Sequence, residues 1–412
     1  LVGCGSKKQE SELVSSLAEL KRLAEAVHVE AIHSVMQFRE NKDPAWCIGK
    51  GKAMEIARLV EEYGADLVIF DQELSPAQVN HLGQLLPCKV FDRTQLIFNI
   101  FAQRAQTKEG RLQVQLAQLE YLLPRLTGRG KELSRLGGGI RTRGPGESKL
   151  EADRRHIRRQ IRALKKELAE VKRHRKLYCT RRKKNNMVQV AFVGYTNAGK
   201  STLLNQLTGA GVLAENQLFA TLDPKTRAIE LANGKKVLLT DTVGFIRNLP
   251  HDLVAAFRST LEEITQADLL VHVVDASHPE AHEQMEVVEN VLTTLGAAHL
   301  PRLTVLNKKD QLGFGEPKIF HPRPDTLMIS AWDSQDLLLL KEKIGQMLTK
   351  EELFGQAKIP VEKGDWISSL YRSAEVLSSK VSGVTMQFRL RISIENYERF
   401  SPELKACIQM DY

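Results

Sequence analysis

Gly194-Tyr195-Thr196-Asn197-Ala198-Gly199-Lys200-Ser201-Thr202 carries the pattern G-x-x-x-x-G-K-S, whose residue types are suited to holding a chain of phosphates. Backbone N–H groups of such a loop surround phosphate oxygens at the start of a helix. The lysine neutralises β/γ charge, and the serine hydroxyl can ligate a divalent cation. Three further pieces follow in order. Asp241-Thr242-Val243-Gly244 offers a carboxylate for a metal ion and a backbone N–H for a γ-phosphate. In Asn307-Lys308-Lys309-Asp310 the Asp310 carboxylate can accept two hydrogen bonds from N1–H and the exocyclic amine of guanine, which adenine does not offer. Ser330-Ala331-Trp332 brings a backbone N–H that can meet the guanine oxygen. Between the first and second pieces lies Phe219-Ala220-Thr221-Leu222-Asp223, in which Thr221 is the candidate residue for closing on metal and γ-phosphate. The set implies a site for GTP and GDP with Mg²⁺. Lys200, Thr221 and Gly244 are the candidate catalytic groups, and Ser201, Thr221 and Asp241, the last through water, the candidate metal ligands.

These loops act together only if each stands at the end of a sheet strand. The sequence supplies the strands: Val188 to Val193 before the first loop, with a helix over Leu203 to Thr208 after it, then Val237 to Thr240, Leu303 to Leu306 and Thr326 to Ile329. One departure is informative. Phe245 stands directly after Gly244, where Ras-like GTPases carry a glutamine that orients the attacking water. An aromatic ring cannot do this, and neither His251 nor Asn248 nearby is a convincing substitute, so unassisted hydrolysis is expected to be slow and to need a partner that orders the switches.

Upstream, helices over Ser11 to Val27, Gly51 to Tyr63 and Ser75 to Leu86 alternate with strands over Ala31 to Phe38, Asp66 to Phe70 and Cys88 to Phe91. This alternation predicts a small parallel α/β domain. Gly49-Lys50-Gly51-Lys52 could hold a phosphate at a helix start, but a two-glycine turn is weak evidence and an ordinary βα turn is the better reading. From about Thr94 the pattern changes to heptads. Leu112, Leu116, Leu119 and Leu123, then Ile157, Ile161, Leu164, Leu168 and Val171, are apolar seams of two helices that should pair antiparallel. The hairpin tip falls between Thr127 and Ser148, rich in glycine and arginine.

Charge is concentrated in the same place. Residues 141 to 184 hold 18 Lys and Arg against 5 Asp and Glu, a net of +13, so with +9 overall the rest of the chain sums to −4. A mildly acidic body with one basic arm is the distribution expected of a nucleic-acid binder. Arg129, Lys131, Arg135, Arg141, Arg143, Arg154, Arg155 and Arg158 are the candidate RNA contacts, and Arg181 to Lys184 join this arm to the nucleotide domain.

The 412 residues, 42% hydrophobic, suffice for several packed cores and argue against wholesale disorder. Cys4, Cys47, Cys88, Cys179 and Cys407 form no C-x-x-C pair, which leaves a disulfide framework or zinc site without support. No apolar run reaches the roughly 18 residues of a spanning helix, and the start resembles no signal peptide, so no integral membrane segment and a cytoplasmic location are expected. The absence of an initiator Met implies residues before Leu1. After Phe354 a helix near Trp366 to Ser379 and a strand near Thr385 to Ile394 suggest a small α+β appendage, where Lys358, Lys363, Arg389 and Arg391 could touch RNA or protein or simply face water.

The tip segment Gly138-Gly139-Ile140-Arg141-Thr142-Arg143-Gly144-Pro145-Gly146-Glu147, the Phe-Ala-Thr-Leu-Asp switch and the nucleotide loops together resemble the HflX family of ribosome-associated GTPases, over nearly the whole chain. The fold class expected is multidomain α/β. A small N-terminal parallel α/β domain (1–93) is followed by an antiparallel helical hairpin with a glycine-rich tip (94–186), a P-loop GTPase domain (187–352) and a small α+β C-terminal domain (353–412). The resemblance implies a GTPase that binds the large ribosomal subunit and its rRNA, sets its hairpin near the peptidyl-transferase region, and in several members splits stalled or idle 70S ribosomes; a monomer is expected. Family members are also linked to ATP binding through the N-terminal domain, where this chain has no second Walker motif. Two alternatives stay open: a large-subunit assembly GTPase, and an RNA-remodelling module for which the nucleotide site is only a switch.

Overall fold

The computed structural model describes residues 1–126, 145–184, 187–209, 218–219, 221–231, 234–248, 258–312, 324–349 and 352–411. The tip candidates Arg129, Lys131, Arg135, Arg141 and Arg143 lie outside them, as do Ala220 and His251.

The chain begins with a parallel four-stranded sheet in the order β2-β1-β3-β4, made of β1 (Val2–Gly5), β2 (Val35–Phe38), β3 (Leu67–Phe70) and β4 (Lys89–Asp92). Around it run α1 (Glu10–Glu25), α2 (Lys50–Tyr63), α3 (Pro76–Leu85) and α4 (Arg93–Arg104). Strand β1 escaped the sequence reading because two of its four residues are glycine. Gly3 is needed there, since a Cβ would stand 3.0 Å from Leu13 and Leu17 and hold α1 off the strand. The strand expected from Ala31 begins only at Val35. Helix α3 starts with a reciprocal cap in which Ser75 Oγ accepts from Gln78 N–H at 3.3 Å and Gln78 Oε1 accepts from Ser75 N–H at 2.8 Å.

The heptad region contains a break. Helix α4 packs with α1 in the N-terminal body, and after Ala105-Gln106-Thr107 the chain restarts as α5 (Lys108–Arg125). Its partner is the 40-residue α6 (Pro145–Lys184). Leu112, Leu116, Ile161 and Leu168 are buried together, with Leu119, Leu123, Ile157, Leu164 and Val171 packed around them, so both leucine seams close on each other. Ion pairs Lys108–Glu167 and Glu120–Lys165 flank the seam.

A six-stranded sheet follows in the order β10-β9-β8-β5-β7-β6, parallel except where β6 meets β7. Its strands are β5 (Val188–Gly194), β6 (Lys225–Glu230), β7 (Lys236–Asp241), β8 (Leu269–Asp275), β9 (Arg302–Asn307) and β10 (Thr326–Met328). Helices α7 (Lys200–Thr208), α8 (Arg258–Thr265), α9 (Ala281–Thr294) and α10 (Ser334–Thr349) cover it. On one face Val190, Phe192, Val271 and Val305 pack with Leu203, Leu204, Leu340 and Ile344 of α7 and α10. On the other face Ala191, Val193, Leu270, Val288 and Leu292 share a core with Leu17, Leu20, Phe98, Phe101, Val114 and Tyr121 of the N-terminal body and the hairpin.

At the C-terminus an antiparallel sheet runs in the order β12-β13-β11-β14, from β11 (Glu352–Pro360), β12 (Glu375–Ser382), β13 (Thr385–Ser393) and β14 (Ile408–Asp411). Helix α11 (Gly364–Ser373) stops short of the expected Ser379. Ala374 turns extended and Glu375 onward pairs with β13, because edge pairing overrides the weak local preference of a serine-rich segment. The short helices α12 (Ile394–Glu398) and α13 (Pro402–Ala406) complete this unit. No helix among the described residues is long and apolar enough to cross a membrane.

Candidate nucleotide site

The loop after β5 is shaped by its glycines. Gly194 has φ +154°, and a Cβ there would lie 2.2 Å from the Val273 carbonyl oxygen on the neighbouring strand β8. Gly199, at φ +98°, leaves no room for a Cβ beside the Asn307 side-chain nitrogen. Lys200 opens α7 and is buried, with its ammonium donating to the carbonyls of Tyr195 at 2.7 Å and Gly194 at 3.1 Å. Burial pushes that ammonium down to about 8, against the pull of nearby Asp241. At neutral pH the group is still mostly charged, and a phosphate beside it would favour the charged form further.

Asp241 ends β7, next to β5 in the sheet, and is fully buried. Ser201 Oγ donates to Asp241 Oδ2 at 2.7 Å and lies 2.9 Å from Thr221 Oγ1. Asp241 Oδ1 is buried without a partner, and burial raises the carboxyl above its ordinary range. Two hydroxyls and a buried carboxylate with an unpartnered oxygen form a hard oxygen donor set, which fits Mg²⁺. Gly244 closes on the loop so nearly that a Cβ would stand 2.8 Å from Thr196 Cα and 3.0 Å from Lys200 Nζ. Thr242 Oγ1 donates to the Phe192 carbonyl at 2.6 Å, and Val243 is buried beneath.

At the other end Asn307 ties three loops together. Its Nδ2 donates to the Ala198 carbonyl at 2.9 Å, and its Oδ1 accepts from Ala331 N–H at 3.1 Å. Lys308 turns through φ +66° and pairs with Asp275 at 2.7 Å. Asp310 is exposed, with its carboxylate in no ion pair among the described residues. The sequence reading missed Asp336 on α10. It accepts from Ser330 N–H at 2.7 Å and pairs with Lys309, fixing both base-side loops to one helix. Trp332 is largely exposed beside them, its N–H donating to Ser330 Oγ.

Several expected contact residues direct their side chains elsewhere. Phe219, at φ +57°, is buried edge-on against Phe101 of α4 with ring centroids 4.7 Å apart. Leu222 enters the same core. Asp223 accepts from the N–H groups of Gln106 and Thr107, both at 2.8 Å, and from Thr107 Oγ1 at 2.5 Å. Tyr195 turns its phenol away from the loop interior and donates to Glu19 Oε2 at 2.7 Å, while accepting from Arg247 N–H at 2.9 Å. Glu19 also pairs with fully buried Arg93, which reaches Asp71 at 2.8 Å. Phe245 pairs its backbone with the loop, accepting from Thr196 N–H at 2.8 Å, and sinks its ring into the shared core. Of these partners Thr107 alone carried a local sequence signal, a threonine three residues before Gly110 at a helix start; Glu19, Arg93 and Asp71 are too scattered to read.

Two other expectations can be located. The Gly49 turn is engaged by β2, with Gln37 Oε1 accepting its N–H at 2.7 Å and the Arg39 guanidinium filling the space of a Cβ. Arg155 and Arg158 are exposed on α6 and Arg154 is half-buried.

Three family models cover most of the chain: a GTP-binding GTPase N-terminal region over residues 14–102, a GTP-binding GTPase middle region over 104–182, and a 50S ribosome-binding GTPase model over 189–308. A GTPase HflX from Alkalihalophilus pseudofirmus is 51% identical over 350 residues, 84% of this chain and 82% of the relative. One from Caldanaerobacter subterraneus is 48% identical across 93% of this chain and 89% of the relative. The Escherichia coli GTPase HflX is 44% identical across 96% and 94%. These similarities agree with the order of loops around the sheet and with guanine-nucleotide chemistry at its edge. The chain therefore belongs to the HflX family of P-loop GTPases, and its reaction is the hydrolysis of GTP to GDP and phosphate.

Proposed function

We propose that this GTPase binds the large ribosomal subunit, sets the glycine- and arginine-rich tip of its hairpin against ribosomal RNA, and separates stalled or idle 70S ribosomes into subunits. The observation that carries the reading is the pairing of a nucleotide domain matched by a 50S ribosome-binding model with a 40-residue basic helix, α6, leading to that tip. Arg129, Lys131, Arg135, Arg141, Arg143, Arg154, Arg155 and Arg158 are its RNA contacts. Four units divide the work: 1–93 and 94–186 engage the ribosome, 187–352 reads the nucleotide, and 353–412 is the appendage.

In the nucleotide site Lys200 sits against the β- and γ-phosphates, and the N–H groups of Asn197 to Thr202 surround them. Ser201 and Thr221 would hold Mg²⁺, with Asp241 supporting it through water, and the ion would neutralise phosphate charge. Gly244 N–H meets the γ-phosphate. Asp310 receives the guanine edge, while Asn307 and the Ala331 backbone close the base side. Water attacks the γ-phosphorus in line with the departing GDP, and Lys200 stabilises charge that spreads over the phosphate oxygens. Phe245 cannot orient that water, so the ribosome completes the arrangement.

The test is GTP hydrolysis at fixed enzyme, alone and with purified large subunits, alongside sedimentation of 70S particles with GTP. Stimulation of roughly 10²-fold or more and conversion of 70S to free subunits are expected. A fast basal rate that subunits leave unchanged would sink the stimulation. Binding only to immature large subunits, with intact 70S particles, would favour the assembly reading.

A further inference from the structure

The segment that carries Thr221 is fastened on both sides to the root of the hairpin. Before it, Phe219 packs edge-on against Phe101 near the end of α4. After it, Asp223 caps the corner that opens α5, taking the N–H groups of Gln106 and Thr107 and the hydroxyl of Thr107. Thr107 is itself the N-cap of α5, accepting from Gly110 N–H at 3.0 Å. The contact is shaped from the helix side too, since a Cβ on Gly110 would fall 2.5 Å from Asp223 Oδ1. Asp223 thus supplies a negative charge at the N-terminus of α5, the favourable end of the helix dipole. Between the two anchors Thr221 Oγ1 stands 2.9 Å from Ser201 Oγ.

Helix α5 is held equally firmly at its far end. Tyr121 donates to Asp92 at 2.5 Å, and Arg125 reaches Glu73 and the Leu74 carbonyl. Its leucine seam joins it to α6. An 18-residue helix spans about 27 Å at 1.5 Å per residue, so α5 runs from the Asp223 corner at its start to the Asp92 and Leu74 contacts at its far end.

We propose that Asp223 is a positioning residue for hydrolysis: its carboxylate locks the Thr221 segment to the N-terminus of α5, so that displacement of the hairpin by a partner is transmitted to Thr221 and changes the rate without touching the nucleotide. The inference rests on the assignment of Thr221 to the metal and γ-phosphate. The lock acts on the hydrolytic arrangement and not on GDP affinity, because among the described residues Asn307, Asp310, Lys200 and the base-side loops make no hydrogen bond or ion pair with Asp223.

The experiment measures kcat, KM and GDP affinity in Asp223→Ala, Gly110→Ala, their double variant and Thr221→Ala. Gly110→Ala is the decisive variant, for it places one methyl group against Asp223 from the hairpin side, on a helix that alanine favours and away from the nucleotide. Both single variants should lower kcat about 10-fold or more, with KM and GDP affinity within about 3-fold of wild type. In the double variant Gly110→Ala should add little, as expected for two groups acting through one contact. Full kcat in Gly110→Ala and Asp223→Ala while Thr221→Ala is inactive would overturn the lock and leave the site intact. Full kcat in Thr221→Ala as well would instead overturn the assignment of Thr221. If Asp223→Ala fails to fold, Gly110→Ala decides alone.

Discussion

The two faces of the six-stranded sheet serve the nucleotide in different ways. On the face covered by α7 and α10, the buried residues all come from the nucleotide domain, among the described residues. The base-side loops belong to this face, with Ile329 and Ala331 in its core and Asp336 of α10 tying Ser330 to Lys309. The opposite face shares one core with residues between Leu17 and Tyr121, and into it go Tyr195, Phe219, Leu222 and Phe245, so that all three pieces of the phosphate side contribute. On the proposed assignment, base recognition is built within the nucleotide domain, whereas the arrangement around the γ-phosphate leans on the N-terminal body and the hairpin. This explains why an aromatic can stand after Gly244: its ring is buried in the core shared with the N-terminal body and the hairpin. A partner that shifts the N-terminal body or hairpin can alter hydrolysis and leave the guanine grip unchanged.

The sharpest way to break this comparison is Asp310→Asn. The carboxylate is exposed and in no ion pair among the described residues, so the exchange should act on base recognition alone. GTP affinity should fall by about 10³-fold or more and xanthine nucleotides should bind in its place. Turnover of bound XTP should equal wild-type turnover of bound GTP. A lower turnover would show that the two faces are not independent.

Tyr195→Phe probes the other face. Burial, followed by the Glu19 carboxylate, raises the Tyr195 phenol well above its ordinary range, so it serves as a fixed donor to Glu19. Removing the hydroxyl strips Glu19 of one partner and leaves the Arg247 N–H unsatisfied. A loss of about 2–3 kcal/mol in unfolding free energy is expected, since the deleted bond is buried and charged. Denaturation by urea gives the value directly, and an unchanged midpoint would mean that the domains are not joined through this network. Guanine preference should not move.

What the sequence made legible divides along the same line. The P-loop, Asp241 and the Asn307 to Asp310 turn were readable because each is a compact motif after an apolar strand, and their partners lie on the same sheet. The Phe219 to Asp223 segment was read as nucleotide-binding with Thr221 as its switch residue. Among its described residues the side chains of Phe219, Leu222 and Asp223 instead satisfy apolar burial and a helix N-terminus more than 100 residues earlier. Nothing local marks Asp223 as the partner of Thr107, or Glu19 as the partner of both Arg93 and Tyr195. Strands β1 and β12 were missed for a related reason. Glycine in one and serine in the other are poor strand formers, and pairing to neighbours imposes the extended conformation.

His272 offers a smaller test on the shared face. It lies on β8 beside Val193 of β5, buried near Glu289 of α9 and Arg302, with Nδ1 unpartnered. Burial, with Arg302 adding to it, pushes the imidazole down to about 3, so the folded protein keeps it neutral. The unfolded chain takes up a proton near pH 6.5, and between that pH and about 3 it therefore binds more protons than the native state. Stability must fall as pH drops through this window. From pH 7.5 to 5.5 the contribution of this one group is about 1.4 kcal/mol, from one pH unit below its unfolded pKa. His272→Asn removes the titration but keeps a polar side chain of similar reach. Urea midpoints at the two pH values should then differ less in the variant than in wild type, by an amount equivalent to that energy. An identical pH response would mean that the imidazole charges within the fold, with Glu289 close enough to hold it. The shared core would then tolerate a charge that its packing otherwise excludes.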